Sequence, residues 1–365
     1  MTIGILKETK KGENRVSISP RIAKQLIDKG FNLIVEDDAG ANSSFNNKYY
    51  REAGAQIEQR GVVYKESDVL VKINSFDKED LKLVNEGQVL ISQFYHQSNP
   101  ELMEAIASKN VSVFSMDAMP RISRAQEMDV LSSQSNLAGY KAVILGAYLI
   151  KRILPLMMTA AGTIKPARVL IYGVGVAGLQ AIATAKRLGA IVSATDIRPE
   201  TKEQTESLGA KFISVEGGET SEGGYAKEAS EDYARRQKEA VNKELFKADL
   251  VITTAMVPGK KSPVLITKNQ VEQMKNGAVI IDLGAAQGGN CQLSKLGKTI
   301  VHKGITIVGT TISPESVSTH ASDLYSKNMF NFIMHLTEDN KFNWDLDEEI
   351  TDGTLIVHKG EIRKT

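Results

Sequence analysis

The stretch Arg168–Arg198, RVLIYGVGVAGLQAIATAKRLGAIVSATDIR, reads as strand, glycine turn, helix and strand. Val169 to Tyr172 form a short apolar run suited to a buried strand, and Gly173, Gly175 and Gly178 follow with the G-x-G-x-x-G spacing. Each glycine has a separate role. The first permits the tight turn, the second lets a pyrophosphate approach the backbone, and the third lets the helix pack closely on the sheet. The following helix, Leu179 to Leu188, points its free N–H groups and the positive end of its dipole at that phosphate. A second apolar run, Ile191 to Thr195, ends in Asp196.

Three close glycines alone also fit an ordinary strand-to-helix turn. Asp196 adds what that reading lacks, a carboxylate at the end of the next strand, 18 positions after Gly178, able to accept from a ribose 2′-hydroxyl. The whole pattern therefore points to a dinucleotide. A 2′-phosphate would be repelled by Asp196, so NAD(H) is expected over NADP(H), although Arg198 nearby could accommodate that phosphate.

The 365 residues suffice for two domains of ordinary size. With 45 Lys and Arg against 44 Asp and Glu, the net charge of +1 gives no nucleic-acid footprint. The single cysteine, Cys291, cannot form an intrachain disulfide, and neither a Cys/His metal cluster nor a secretory signal at the start is evident, so a reducing cytoplasm is expected, with no metal. The most apolar region, Ala142 to Ala161, is broken by Lys151, Arg152 and Pro155, short of the roughly 18 apolar residues a spanning helix needs.

Strand and helix alternate on both sides of the fingerprint. Ile3 to Leu6, Phe31 to Val35, Val69 to Ile73, Val89 to Ser92 and Val111 to Phe114 are β-rich runs separated by helical or polar stretches, which implies a parallel sheet without a full glycine fingerprint. Beyond the fingerprint, further strands are expected at Phe212 to Val215, Leu250 to Thr253, Val279 to Leu283 and Ile305 to Val308. Leu137, Tyr140, Val143, Ile144, Ala147 and Tyr148 recur at helical spacing, giving a helix of about 20 residues capped by the Ser132/Ser133/Ser135 hydroxyls and ended by Pro155. Leu324, Tyr325, Phe332, Ile333 and Leu336 suggest a second, capped by Ser318 or Thr319. The expected fold is α/β: two Rossmann-like, doubly wound parallel-sheet domains joined by two long helices, with a nucleotide cleft between them. Residues 1–131 with 317–365 form the discontinuous first domain and 132–316 the NAD(H)-binding domain. The last 20 or so residues, with Trp344, are expected as a small surface appendage.

Two polar segments stand out. EGGETSEGGYAK, 216–227, has four glycines and no apolar period, so it is either a disordered insertion or a lid with Tyr225 at its tip. MPRISRAQEMDVLSSQSNLAGY, 119–140, offers Arg121, Gln126, Asp129 and Ser132. These are either the solvated start of a helix, with Asp129 favoured by its dipole, or groups that orient a carboxamide ring and its ribose.

The second segment closely resembles the signature of the NAD(H)-binding domain I of proton-translocating nicotinamide nucleotide transhydrogenases. The likeness covers nearly the whole chain, with KETKKGENRVSISP, the fingerprint, GGYAKE, TTAMVPGKKSPVLIT and IDLGAAQGGNC in family order. It implies that Arg121, Gln126, Asp129 and Ser132 hold the nicotinamide and its ribose, and that Tyr225, beside Gly224, closes over bound nucleotide. Val176 in the turn, Ile197 beside Asp196, and Ala255 and Met256 in TTAMVPG are expected along the same nucleotide. It further implies direct hydride transfer from NADH here to NADP⁺ on a partner subunit, coupled to proton movement through membrane subunits. Such a step needs no nucleophile or general base, because the cofactors carry the chemistry and the protein supplies placement. Because the chain stops soon after the second long helix, it resembles the separately encoded soluble subunit of some bacterial versions, a homodimer peripheral to the plasma membrane through its partners.

The related alanine dehydrogenases are the nearest alternative. Arg15 in ENRV and Lys72 in VLVKI correspond to that family's substrate-carboxylate groups, and His96 falls near its catalytic histidine. That family has Asp directly before its QGG, whereas Ala286 precedes Gln287 here. A non-catalytic NAD(H)-binding regulatory module is the other alternative. One departure from the transhydrogenase pattern is TTISPES, with Ser316 where an arginine is usual, which bears on the interdomain return.

Overall fold

The computed structural model describes residues 1–215, 231–256, 260–309 and 314–364. They divide into two compact units, residues 1–134 with 314–365 and residues 135–313.

The first unit is built on an eight-stranded sheet. Its order across the sheet is Glu361–Ile362, Leu355–His358, Ser112–Ser115, Val89–Gln93, Val69–Asn74, Thr2–Ile5, Asn32–Glu36 and Gln56–Glu58. The six strands from the N-terminal region pair in parallel, and the two C-terminal strands are antiparallel. Numbered along the chain, the parallel strands run 3-2-1-4-5-6, the doubly wound order. Side chains alternate between faces. Ile3, Ile5, Val69, Val71 and Ile91 join one core, while Leu70, Leu90 and Val113 join the other, so these strands read as continuous apolar runs.

The C-terminal segment corrects the expected surface appendage. Leu355, Ile356 and Val357 are fully buried, and their strand extends the sheet against Ser112–Ser115. Three consecutive apolar residues need cover on both faces, and a place in the sheet supplies it. Trp344 stacks on Phe114, with ring centroids 5.9 Å apart, against the same core.

The second unit carries seven strands in the order Lys211–Phe212, Ile191–Thr195, Arg168–Tyr172, Leu250–Thr253, Val279–Asp282, Ile305–Val308 and Thr299–His302. All pair in parallel except the last, an antiparallel edge strand that its half-exposed pattern hid from sequence reading. Its six parallel strands again run 3-2-1-4-5-6. A separate hairpin, Met157–Thr159 with Gly162–Ile164, is exposed at every residue.

The first long helix spans Val130–Leu149, beginning in one unit and continuing in the other. Its start is capped differently from expectation. Asp129 Oδ1 accepts from the Ser132 backbone N–H at 2.9 Å, while the hydroxyls of Ser132 and Ser133 donate to Asp129 Oδ2 and the Val130 carbonyl. A carboxylate just before the first turn meets both the orphan N–H and the dipole, and so outcompetes a hydroxyl. The second long helix, Ser318–Leu336, lies within the first unit from end to end. Ser318 and Thr319 do not cap it; their hydroxyls donate to the carbonyls of Asn42 and Ser43, tying the helix start to a neighbouring turn. Tyr325, Phe332, Ile333 and Leu336 are buried as their spacing implies, but Leu324 faces solvent. No helix of the described residues is long and apolar enough to cross a membrane.

Candidate functional site

In the second unit, the glycine turn lies at the carboxyl end of the central strand, where the strand order reverses and ligands bind doubly wound sheets. The three glycines are required for three different reasons. Gly173 has φ +89, and a Cβ there would lie 2.6 Å from Thr254 Oγ1. Gly178 packs so closely that a Cβ would stand 1.9 Å from the Gly173 carbonyl oxygen. A Cβ on Gly175 would meet only Arg198 Nη2, at 4.0 Å, so this side of the turn is open. Gly175 is also the N-cap of the helix Val176–Arg187, and no side chain caps it. An open glycine beside a guanidinium, at an uncapped helix N-terminus, fits a pyrophosphate. The first long helix closes in from another side: a Cβ on Gly139 would lie 2.1 Å from the Ala177 carbonyl oxygen.

Asp196 organises the turn. Its side chain is 6% exposed, and Oδ2 accepts from the Val174 N–H at 2.6 Å and from Arg198 Nη2 at 2.9 Å. Oδ1 accepts from the Arg198 N–H and Nε at 2.9 and 3.0 Å. Burial pushes this carboxyl up, but the Arg198 guanidinium and the two backbone N–H groups outweigh it and hold the group below the ordinary carboxylate range. Asp196 thus keeps its charge, and Arg198, which the sequence offered as a possible partner of a 2′-phosphate, is here a bidentate partner of that charge. Ile197 is almost fully exposed beside the pair, as an apolar platform would be. Across the turn, Thr254 Oγ1 donates to the Gly173 carbonyl at 3.0 Å, and the backbone of Ala255 runs alongside. Val176 and Met256 are also exposed. Gly224 and Tyr225 lie outside the described residues.

Sequence reading missed the support beneath this end of the sheet. Asn290, fully buried, donates through Nδ2 to the carbonyls of Ala255 and Pro263, both at 2.8 Å. Asp282, also fully buried, accepts from Thr253 Oγ1, Ser294 Oγ and the N–H groups of Gly284 and Cys291. An acid closing the apolar run VIID and the asparagine of QGGN were the available signals.

In the first unit, the polar segment is held as a loop. Residues Ser123–Met128 form a 3₁₀ turn in which Ala125 and Met128 are buried; Gln126 within it and Arg121 just before it are exposed, their side chains making no hydrogen bond among the described residues. Asp129 and Ser132 are paired, Oδ2 to Oγ 2.5 Å. Arg121, Gln126, Asp129 and Ser132 thus share one short polar segment, with two side chains that make no hydrogen bond among the described residues and one carboxylate–hydroxyl pair.

The residues singled out for an amino-acid substrate are occupied otherwise. Arg15 binds Glu13 through Nε and Nη2, at 2.7 and 2.6 Å, and Gln134 through Nη1 at 2.8 Å. Lys72, 1% exposed, donates to Asp80 Oδ2 at 2.7 Å, and Asp80 also receives Tyr64 and Arg60. His96 is half-buried in a short turn, and burial lowers its imidazole below the usual value.

Two family models match the chain. Residues 4–138 match the family described as alanine dehydrogenase/PNT, N-terminal domain, and residues 142–365 the C-terminal domain of the same description. An NAD(P) transhydrogenase subunit alpha of Rhodospirillum rubrum is 50% identical over 374 residues, covering 99% of this chain and 97% of that one. The crystal structure of a transhydrogenase from Sinorhizobium meliloti superposes with a TM-score of 0.92 at 40% identity, covering 99% of this chain and 100% of that chain. "Alanine dehydrogenase 2" of Staphylococcus aureus is 29% identical over 295 residues, 79% of this chain and 73% of that one. Matched along both of its domains, the chain belongs to the alanine dehydrogenase/PNT family.

Proposed function

We propose that this chain is the NAD(H)-binding subunit of a proton-translocating transhydrogenase. The observation that carries the proposal is the intact glycine turn with its charged Asp196, in a chain 50% identical end to end to a transhydrogenase subunit alpha. Gly175 and the helix N-terminus at Val176 hold the pyrophosphate, Asp196 the adenosine ribose, and Ile197 and Met256 border the nucleotide. Arg121 and Gln126 hold the carboxamide, and Asp129 with Ser132 holds the second ribose. When bound, the nicotinamide supplies the carbon that gives or takes hydride. The chain's own residues bind, orient and exclude water, which accounts for a site of hydrogen-bonding groups with no nucleophile–base pair. NADP(H) belongs to a partner subunit, and membrane subunits couple the exchange to protons.

The active form is a homodimer. Tyr140 and Tyr148 lie two turns apart on the first long helix with 40% and 84% exposure, and Met158 on the hairpin is 77% exposed. Apolar groups displayed this way favour burial against a second copy.

The occupied state of Lys72 and Arg15 favours this function over alanine oxidation, since each cation already has a carboxylate partner. A stopped-flow assay separates the two. The protein alone, given alanine and NAD⁺, forms no NADH; NADH formation without any partner subunit would overturn the proposal.

A further inference from the structure

We propose that Asn328 is a positioning residue for hydride transfer, fixing the backbone beside Gln126 and so aiming the groups that meet the nicotinamide. The inference rests on the proposed role of Gln126 and Asp129.

Gln126 is exposed on a 3₁₀ turn, and its side chain has no hydrogen bond among the described residues, so its aim comes entirely from how the backbone is anchored. On its N-terminal side the anchor is apolar: Ala125 is fully buried. On its C-terminal side the buried Met128 is a second apolar anchor, and the residue between is held by polar bonds. The Glu127 carbonyl accepts from Asn328 Nδ2 at 2.7 Å and from Asn331 Nδ2 at 3.1 Å. Both asparagines stand on the helix Ser318–Leu336, whose Tyr325, Met329 and Phe332 are locked in the core. The helix is therefore a rigid rail, and the loop hangs on it at the residue between Gln126 and Met128. An ion pair from Arg124 to Glu348 at 3.3 Å adds little, because Arg124 is exposed.

Asn328 is 7% exposed, and its Oδ1 is buried with no partner among the described residues. A leucine of similar size would spare that orphan acceptor, so an amide here does not serve the packing. Among the described residues, its side chain's one hydrogen bond is to the loop.

The test compares Asn328→Leu and Asn328→Asp in the full chain, with an NADP(H)-binding transhydrogenase subunit supplied. Both variants are expected to bind NADH within about twofold of the parent while transferring hydride about tenfold or more slowly, the pattern of an interaction needed for placement. Asn328→Asp adds a pH signature. Only the protonated acid can donate to the Glu127 carbonyl, so its rate relative to the parent recovers as pH falls. Amide hydrogen exchange should quicken across residues 121–129 and stay unchanged in strand 69–74. Unchanged transfer rates, or equal losses in binding and transfer with no pH recovery, would overturn the proposal. If Asn328→Leu fails to fold, the half-buried Asn331→Leu weakens the same carbonyl anchor and must show the same split in milder form. A parent protein that transfers no hydride would refute the proposed function instead, and the exchange data would still decide whether Asn328 holds the loop.

Discussion

Asp196→Ala tests the proposed adenosine anchor. The carboxylate receives four donors, one from Val174 and three from Arg198, and its charge is held by that set. On the proposed role, one or more of these donors gives way to the ribose hydroxyls, which then hydrogen-bond to a charged acceptor. Bonds of that kind contribute about 1.5–3 kcal/mol. At about 1.4 kcal/mol per factor of ten, NADH should bind roughly tenfold to a hundredfold more weakly. NADPH should lose less or gain, because the substitution removes the negative charge and frees Arg198 for a 2′-phosphate. Isothermal titration calorimetry of both nucleotides reads the two constants directly. Alanine also leaves the Val174 N–H without its acceptor, at a cost of about 1–3 kcal/mol of stability, so the titrations belong well below the unfolding midpoint. An unchanged NADH dissociation constant, or parallel losses for NADH and NADPH, would refute the assignment.

Other substitutions probe other features. Gly178→Ala places a methyl group 1.9 Å from the Gly173 oxygen, so the helix must back away from the strand; a stability loss of about 1–3 kcal/mol and weakened NADH binding are expected by thermal unfolding and calorimetry. Gln126→Asn shortens the exposed amide without touching the adenosine end, and should slow hydride transfer far more than it weakens NADH binding, with equal losses counting against the role. Asp80→Asn leaves Lys72 buried without its counter-charge and should cost about 3–5 kcal/mol in urea unfolding. Burial raises the Asp80 carboxyl, but Lys72, Tyr64 and the Asp77 N–H prevail and hold it below its ordinary value. Its contribution is therefore complete above about pH 4 and lost as pH falls through the lower folded value, so the variant should show a flatter acid limb than the parent.

The strand–turn–helix–strand at Arg168–Arg198 was legible because each local signal agrees with the others: apolar runs long enough for buried strands, glycines at the turn, and an acid at the next strand end. Most of the remaining parallel strands were legible for the same reason, but Gln56–Glu58, three residues of mixed polarity at the sheet edge, was not. The strand Leu355–His358 was not, because it follows an acidic surface stretch and pairs with a strand some 240 residues earlier, a partnership no local pattern records. Helix caps were misread because serine clusters signal a cap in general, while at Val130 a stronger acceptor, Asp129, was already in place. The polar loop was legible as a group of residues, but its anchoring through Asn328 was not, since an asparagine within a core-facing helix carries no sign of what it holds. Arg15 and Lys72 show the same limit: their sequence context matches an amino-acid site, and only the structure places Glu13 and Asp80 against them.

The most direct test is hydride exchange itself. The protein is mixed with an NADP(H)-binding transhydrogenase subunit, NADH carrying deuterium at C4 of the nicotinamide, and NADP⁺, and the label is followed in the nucleotides and in water. The account predicts that deuterium moves into NADPH without washing into solvent. Tight NADH binding with no transfer, or label released to water, would contradict it.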